Sequence, residues 1–203
     1  MLQQKTGVGV IGCGTISDVY LTNIKEHYHN LEVIACADMY PEKAEQTKEK
    51  YGIPTACTPE ELLADEKIEI VLNLTVPAVH YQINMQILNA GKHVYCEKPL
   101  ALTVDQAREM YLTAKENNIK TLVAFNYRKT PAVQLAKKYI EEGAIGEILD
   151  FRGTYLQDWS ADPESPLSWR FQKDIAGAGT LGDIASHVID IAQYLAGDID
   201  EVV

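Results

Sequence analysis

Two segments of the 203-residue chain hold side chains whose types and spacing suit proton transfer. In the first, Glu97-Lys98-Pro99 closes a short apolar run from Val94 to Cys96. A proline disfavours helical geometry in the residue before it, so Lys98 is held extended at the end of a strand. Ligands of open α/β sheets bind at such strand ends. In the second, Asp183 and His187 stand four residues apart in a glycine-rich stretch, Gly179 to Asp190. A helix brings positions i and i+4 to one face. A carboxylate beside an imidazole orients the ring and favours its charged form. Such a pair can take the proton of an alcohol while a hydride leaves the same carbon. Taken singly, the first segment reads as a plain loop and the second as a helix start with an unrelated surface histidine.

A departing hydride needs an acceptor, and the N-terminal residues describe a place for one. A literal G-x-G-x-x-G occurs at Gly7, Gly9 and Gly12, but its first two glycines lie inside a strand and cannot form a phosphate turn. The workable register is Gly12-Cys13-Gly14-Thr15-Ile16-Ser17, where a strand passes into a helix. Gly12 permits the tight turn, and Gly14 lets the backbone approach a pyrophosphate. Ser17 is small enough for close packing of helix on strand. The helix opening at Thr15 and Ile16 offers unpaired N–H groups and a partial positive charge. Asp38 ends the next strand, near the spacing of about 20 residues expected of an acid that accepts from the adenosine ribose hydroxyls. That carboxylate would repel a 2′-phosphate, and neither Met39 nor Tyr40 is basic. NAD is therefore expected in preference to NADP.

The elements needed to position these groups are legible in the pattern. Strand-like apolar runs at 7–11, 31–37, 68–74, 94–96 and 121–125 alternate with helical segments. The spacing predicts helices over 15–28, 41–51 and 79–90. Two capping boxes, Thr58 with Glu61 and Thr103 with Gln106, open two more. Strand and helix in alternation imply a parallel sheet covered on both faces, an α/β doubly wound domain over residues 1–126. After Asn126 the texture changes. Helices are expected over 131–142 and 183–196, a longer aromatic-rich strand over 148–157, and the start of another at Val202-Val203.

Composition narrows the partners. The 29 acidic and 18 basic residues leave a net charge of −11, which repels nucleic acid and anionic membranes. No apolar run approaches the ~20 residues that span a bilayer. The N-terminal residues lack the form of a signal peptide, and a cytoplasmic location is expected. Cys13, Cys36, Cys57 and Cys96 are too scattered for a zinc or redox motif, and no metal site is expected.

Taken together the motifs resemble the glucose–fructose oxidoreductase / inositol dehydrogenase (Gfo/Idh/MocA) family. The residues carrying the resemblance are the glycine loop, Thr75-Val76-Pro77, Glu97-Lys98-Pro99, Trp169-Arg170 and Asp183 with His187. The family implies a Rossmann domain followed by an α/β domain with a large, mostly antiparallel sheet. By this resemblance Lys98, Asp183 and His187 are catalytic. His187 accepts the substrate proton, Asp183 holds His187, and Lys98 donates to the reacting oxygen. Gly12, Gly14, Thr15, Ile16, Asp38, Thr75, Pro77, His80, Glu97, Lys98, Trp169 and Arg170 are implied at the cofactor. Tyr127, Arg128 and Gln157 are implied at a sugar, polyol or glycoside substrate. The stretch Tyr155-Leu156-Gln157-Asp158-Trp159 is similar to the levoglucosan-dehydrogenase-like and glycoside 3-dehydrogenase branch. Residues 127–203 hold only the first part of the family's second domain, so low turnover and self-association into a homo-oligomer are expected of this chain by itself. A non-catalytic NAD-binding module and an NAD-dependent glycosidase are the alternative readings.

Overall fold

Short apolar runs bounded by turn residues become parallel strands here, the central ones buried on both faces. In the computed structural model, which describes residues 5–158, 160–172 and 179–202, these are β1 (Thr6–Ile11), β2 (Leu31–Ala37), β3 (Thr55–Ala56), β4 (Ile70–Asn73), β5 (His93–Cys96) and β6 (Thr121–Val123). They lie in the order β3-β2-β1-β4-β5-β6, and every pairing is parallel. This is the doubly wound Rossmann order, with its switch point between β1 and β4. The two-residue β3 is too short to leave an apolar run, and periodicity does not name it.

Helices α1 (Thr15–His27), α2 (Pro41–Tyr51), α3 (Pro59–Ala64), α4 (His80–Asn89) and α5 (Val104–Glu116) make the crossovers. Alternation along the strands divides the core into two layers. Val8, Val10, Cys36 and Leu72 pack to one side with Leu21 and Ala44. Ile11, Ala35, Val71 and Cys96 pack to the other with Leu62, Ile87 and Met110. Cys36 and Cys96 are fully buried core residues, as their apolar surroundings in the sequence imply. Burial pushes the Cys96 thiol up to about 12, so it stays protonated.

The caps explain where helices begin. Thr58 Oγ1 accepts from the Glu61 N–H and Glu61 returns a carboxylate oxygen to the Thr58 N–H, a complete capping box. The second box is only half formed. Thr103 Oγ1 accepts from the Gln106 N–H, but Gln106 reaches back to the Leu102 N–H, satisfying the donor one residue earlier.

The chain divides into two compact units, Met1–Ala124 and Phe125–Val203. The second contains α6 (Pro131–Glu141) and α7 (Ser186–Ala196). Two expectations need correction there. Residues 148–157 are not a strand: no ladder partner is present among the described residues, and a strand exists only through its ladder. Leu149 and Leu156 are consequently 91% and 86% exposed. Nor does a regular helix begin at Asp183. Leu181–Ala185 form a π turn, and the α-helix starts at Ser186. Gly179 and Gly182, poor helix formers, precede or enter that turn. Val202 is irregular, and Val203 and Trp159 lie outside the described residues. No antiparallel sheet is present among the described residues of this unit.

The glycines inside β1 are packing residues. A Cβ at Gly7 would lie 1.9 Å from the Lys67 carbonyl oxygen, and one at Gly9 would lie 2.6 Å from Leu62 Cδ2. Gly7→Ala is therefore expected to cost about 3 kcal/mol. Urea unfolding reads this directly, and an unchanged midpoint would contradict the close approach.

Candidate active site

The site of the first unit is built from three turns at the C-terminal ends of β1, β4 and β5. At the first, Gly12 has φ +103°, and a Cβ there would lie 2.6 Å from the Leu74 carbonyl carbon. Only glycine fits. Gly14 precedes α1 in an extended conformation without a side-chain cap, and a Cβ added there meets nothing within 4 Å. Thr15 and Ile16, the first residues of α1, are exposed. Ser17 is buried and its hydroxyl donates to the Gly14 carbonyl at 2.7 Å. An uncapped helix N-terminus above open space is what a pyrophosphate requires.

Asp38 stands beside this loop. Its Oδ2 accepts the Cys13 N–H at 2.8 Å, and its Oδ1 accepts the Tyr40 N–H at 2.9 Å. Each carboxylate oxygen has a second lone pair, so the acid keeps acceptor capacity for a pair of ribose hydroxyls. These residues fit a nicotinamide dinucleotide.

The β4 turn depends on residues the motifs do not contain. Asn73 is fully buried; its Nδ2 donates to the His80 carbonyl at 3.2 Å and to Asn84 Oδ1 at 2.9 Å. Its Oδ1 accepts the Thr75 hydroxyl at 2.6 Å and the Thr75 N–H at 3.3 Å. An amide interrupting the apolar run Val71-Leu72-Asn73-Leu74 was the available signal, because a buried polar group needs partners. Pro77 opens a short 3-10 turn leading into α4. His80 is 1% exposed, and its ring nitrogens lie 2.7 Å from the Pro99 carbonyl and 3.0 Å from the Thr75 carbonyl. The His80 ring is thus buried between the β4 and β5 turns, each of which supplies it with a carbonyl.

At the β5 turn the Lys98–Pro99 peptide is cis. Glu97 Oε1 accepts the Tyr20 hydroxyl at 2.6 Å, and Oε2 accepts the Lys98 N–H at 3.0 Å.

The second unit gathers a separate cluster. His187, on the first turn of α7, is 7% exposed and ringed by Tyr127 at 4.6 Å, Phe125 at 6.0 Å and Tyr155 at 6.1 Å between centroids. A cavity of about 330 Å³ lies beside it, walled by Tyr127, Phe151, Tyr155, His187 and Ile191. The hydroxyls of Tyr127 and Tyr155 are 2.6 Å apart, and Gln157 Nε2 donates to Tyr155 at 2.9 Å. That short contact, with some burial, pushes the Tyr127 hydroxyl up to about 12. Asp183 sits in the π turn and accepts from Arg170 Nε at 3.2 Å. The backbone of Trp169 lies in a 3-10 turn, and its side chain is outside the described set.

Arg128 pairs with an acid of the same unit. Its Nε donates to Asp190 Oδ2 at 2.7 Å and its second nitrogen lies 2.5 Å from Oδ1. Its guanidinium stacks 5.1 Å above the Tyr194 ring and does not line the cavity. Asp190 was missed as its partner. A carboxylate on the inner face of an apolar helix demands a cation, and that was the usable clue.

Fold and site together define a dinucleotide-binding protein of the Rossmann class. Residues 6–125 match the model of the oxidoreductase family with an NAD-binding Rossmann fold, and 133–203 match the GFO/IDH/MocA C-terminal domain. The chain belongs to this Gfo/Idh/MocA family of NAD-binding oxidoreductases, as the motifs suggest. It is 54% identical over 167 residues to levoglucosan dehydrogenase of Pseudarthrobacter phenanthrenivorans, covering 82% of this chain and 43% of that protein. It is 30% identical over 191 residues to D-glucoside 3-dehydrogenase of Escherichia coli, covering 94% and 54%. A solved levoglucosan dehydrogenase in complex with NADH and levoglucosan superposes with TM-score 0.89 at 47% identity, over 96% of this chain and 55% of that one. The chain thus spans about half the length of the relatives it matches. Among the described residues no helix is long and apolar enough to cross a membrane, and no group of side chains could hold a metal ion.

The Arg128–Asp190 pair supplies a stability test. Asp190 is 6% exposed and Arg128 38%, so Arg128→Ala strands a buried carboxylate. A loss of about 3 kcal/mol is expected in chemical denaturation, and Arg128→Ala combined with Asp190→Asn should recover part of it.

Proposed function

We propose that the protein is an NAD-dependent dehydrogenase that oxidises a ring hydroxyl of a sugar, polyol or glycoside. Residues 1–126 are read as the nucleotide domain and 127–203 as the first part of the substrate domain. The observation that carries the reading is a buried imidazole, His187, beside a tyrosine-walled cavity, in a chain whose glycine loop is braced by Asp38. NAD, when bound, supplies the hydride acceptor. The chain's own residues do the rest. His187 takes the proton from the hydroxyl oxygen, and with a hydride lost from the carbon the alcohol becomes a carbonyl. Lys98 donates to the reacting oxygen and stabilises its developing negative charge. Asp183 orients His187. Tyr127, Tyr155 and Gln157 offer ring faces and hydrogen-bonding groups to a sugar. The names of the relatives favour a cyclic sugar or glycoside substrate. We place the protein in the cytoplasm, as a homo-oligomer assembled through its second domain.

The test is NADH formation, followed by absorbance, by the protein in its complete natural form with levoglucosan, D-glucosides and inositols. Lys98→Ala and His187→Asn should each lower kcat by about 10²–10⁴-fold while leaving NADH binding within a few-fold. Turnover surviving both changes would reject the assignment of these residues. In the same assay Asp38→Ala should shift the cofactor preference toward NADP, because the carboxylate that repels a 2′-phosphate is gone.

A further inference from the structure

Lys98 lies between two residues that are each held from a distant part of the first unit. On its N-terminal side, the Glu97 carboxylate has both oxygens engaged. One accepts the Tyr20 hydroxyl from α1 at 2.6 Å, across 77 residues of sequence. The other accepts the Lys98 N–H at 3.0 Å. Glu97 therefore links the middle of the helix that opens at the glycine loop to the backbone of Lys98 itself. The Tyr20 ring is set by an edge-to-face contact with Tyr95, centroids 5.7 Å apart, two residues before Glu97. Burial first, and then Glu97, hold the Tyr20 hydroxyl far above the ordinary phenol range, so it stays a donor.

On the C-terminal side, the Pro99 carbonyl lies 2.7 Å from His80 Nδ1, and the other ring nitrogen lies 3.0 Å from the Thr75 carbonyl. Proline has no N–H of its own, so its carbonyl is the only backbone hydrogen-bonding group by which Pro99 can be held. His80 thus fastens the β5 turn to the β4 turn. Both helices also have apolar anchors besides these contacts. Helix α1 packs through Leu21 and α4 through Ile87 and Leu88, all apolar.

We infer that Tyr20 and His80 are positioning residues that hold the Lys98 turn from its two sides, Tyr20 through Glu97 and His80 through Pro99. The inference rests on the proposed role of Lys98 at the reacting oxygen. Hydride transfer requires the reacting atoms in a near-attack geometry, about 3–3.5 Å apart, and a misplacement near 1 Å costs on the order of 10²-fold in rate. Removing one of two holds should relax the turn by less than that.

The experiment uses the protein in its complete natural form, with NAD and levoglucosan or whichever panel sugar is turned over fastest. Tyr20→Phe deletes one oxygen, and His80→Gln keeps at most part of the bridge. Each is expected to lower kcat by about 10-fold and raise the primary deuterium isotope effect on hydride transfer, with the NADH dissociation constant changed less than about 3-fold. Thermal melting, with NADH binding, checks that each variant is folded. A Tyr20→Phe kcat within 2-fold of the parent overturns the inference. So does a loss confined to NADH affinity, which would assign Tyr20 to cofactor binding alone, or one confined to melting temperature, which would make it purely structural. A Lys98→Ala variant with parental turnover instead rejects the proposed function, whatever Tyr20→Phe does.

Discussion

The carboxylate of Asp38 bonded to the backbone N–H of Cys13 ties the end of β2 to the loop that follows β1. Around that contact the parallel sheet acquires its binding edge. The backbone at Gly12 comes so close to Leu74 that no side chain can intervene, which brings the ends of β1 and β4 together at the switch point of the sheet. The loop then departs at an angle that leaves the first turn of α1 uncapped and facing open space. A negative ligand is thus met by a backbone already in place, and little ordering entropy remains to be lost when it binds.

The polar groups near this edge are arranged differently from those in a solvated loop. Asn73, Asn84 and His80 are all buried, and their contacts are made with backbone carbonyls, with Thr75 and with one another. A buried network of this kind favours one geometry for the turns it joins, because another would break these hydrogen bonds in a low-dielectric interior. The second unit follows the same rule with charge. Asp190 is buried on α7 and matched by Arg128. His187 packs among three aromatic rings.

Much of the first unit could be read from residue order alone. Glycine-rich turn, apolar run, helix and acid follow each other with spacings that only a few backbone geometries accommodate, so Gly12, Gly14 and Asp38 were identifiable without coordinates. Positions whose importance comes from contacts distant in sequence were not. Tyr20 and Glu97 are 77 residues apart, and nothing in the local pattern of α1 marks one tyrosine as a partner for a later carboxylate. His80 was implied at the cofactor by the family resemblance, but its burial between two carbonyls was not legible. In the second unit the pairing of Arg128 with Asp190, 62 residues apart, was not legible either. The expected strand at 148–157 lacked a ladder partner.

By itself, then, the order of residues determined the doubly wound class, the glycine turn after the first strand and the acid beside it, because these depend on local backbone preferences and short-range spacing. Only the tertiary structure decided which polar side chains brace the turns, where the α7 helix truly begins, and which cation answers the buried Asp190. Those outcomes depend on burial, and burial is set by the whole fold: a hydroxyl, imidazole or carboxylate acquires a fixed partner when packing removes the water that would otherwise serve it.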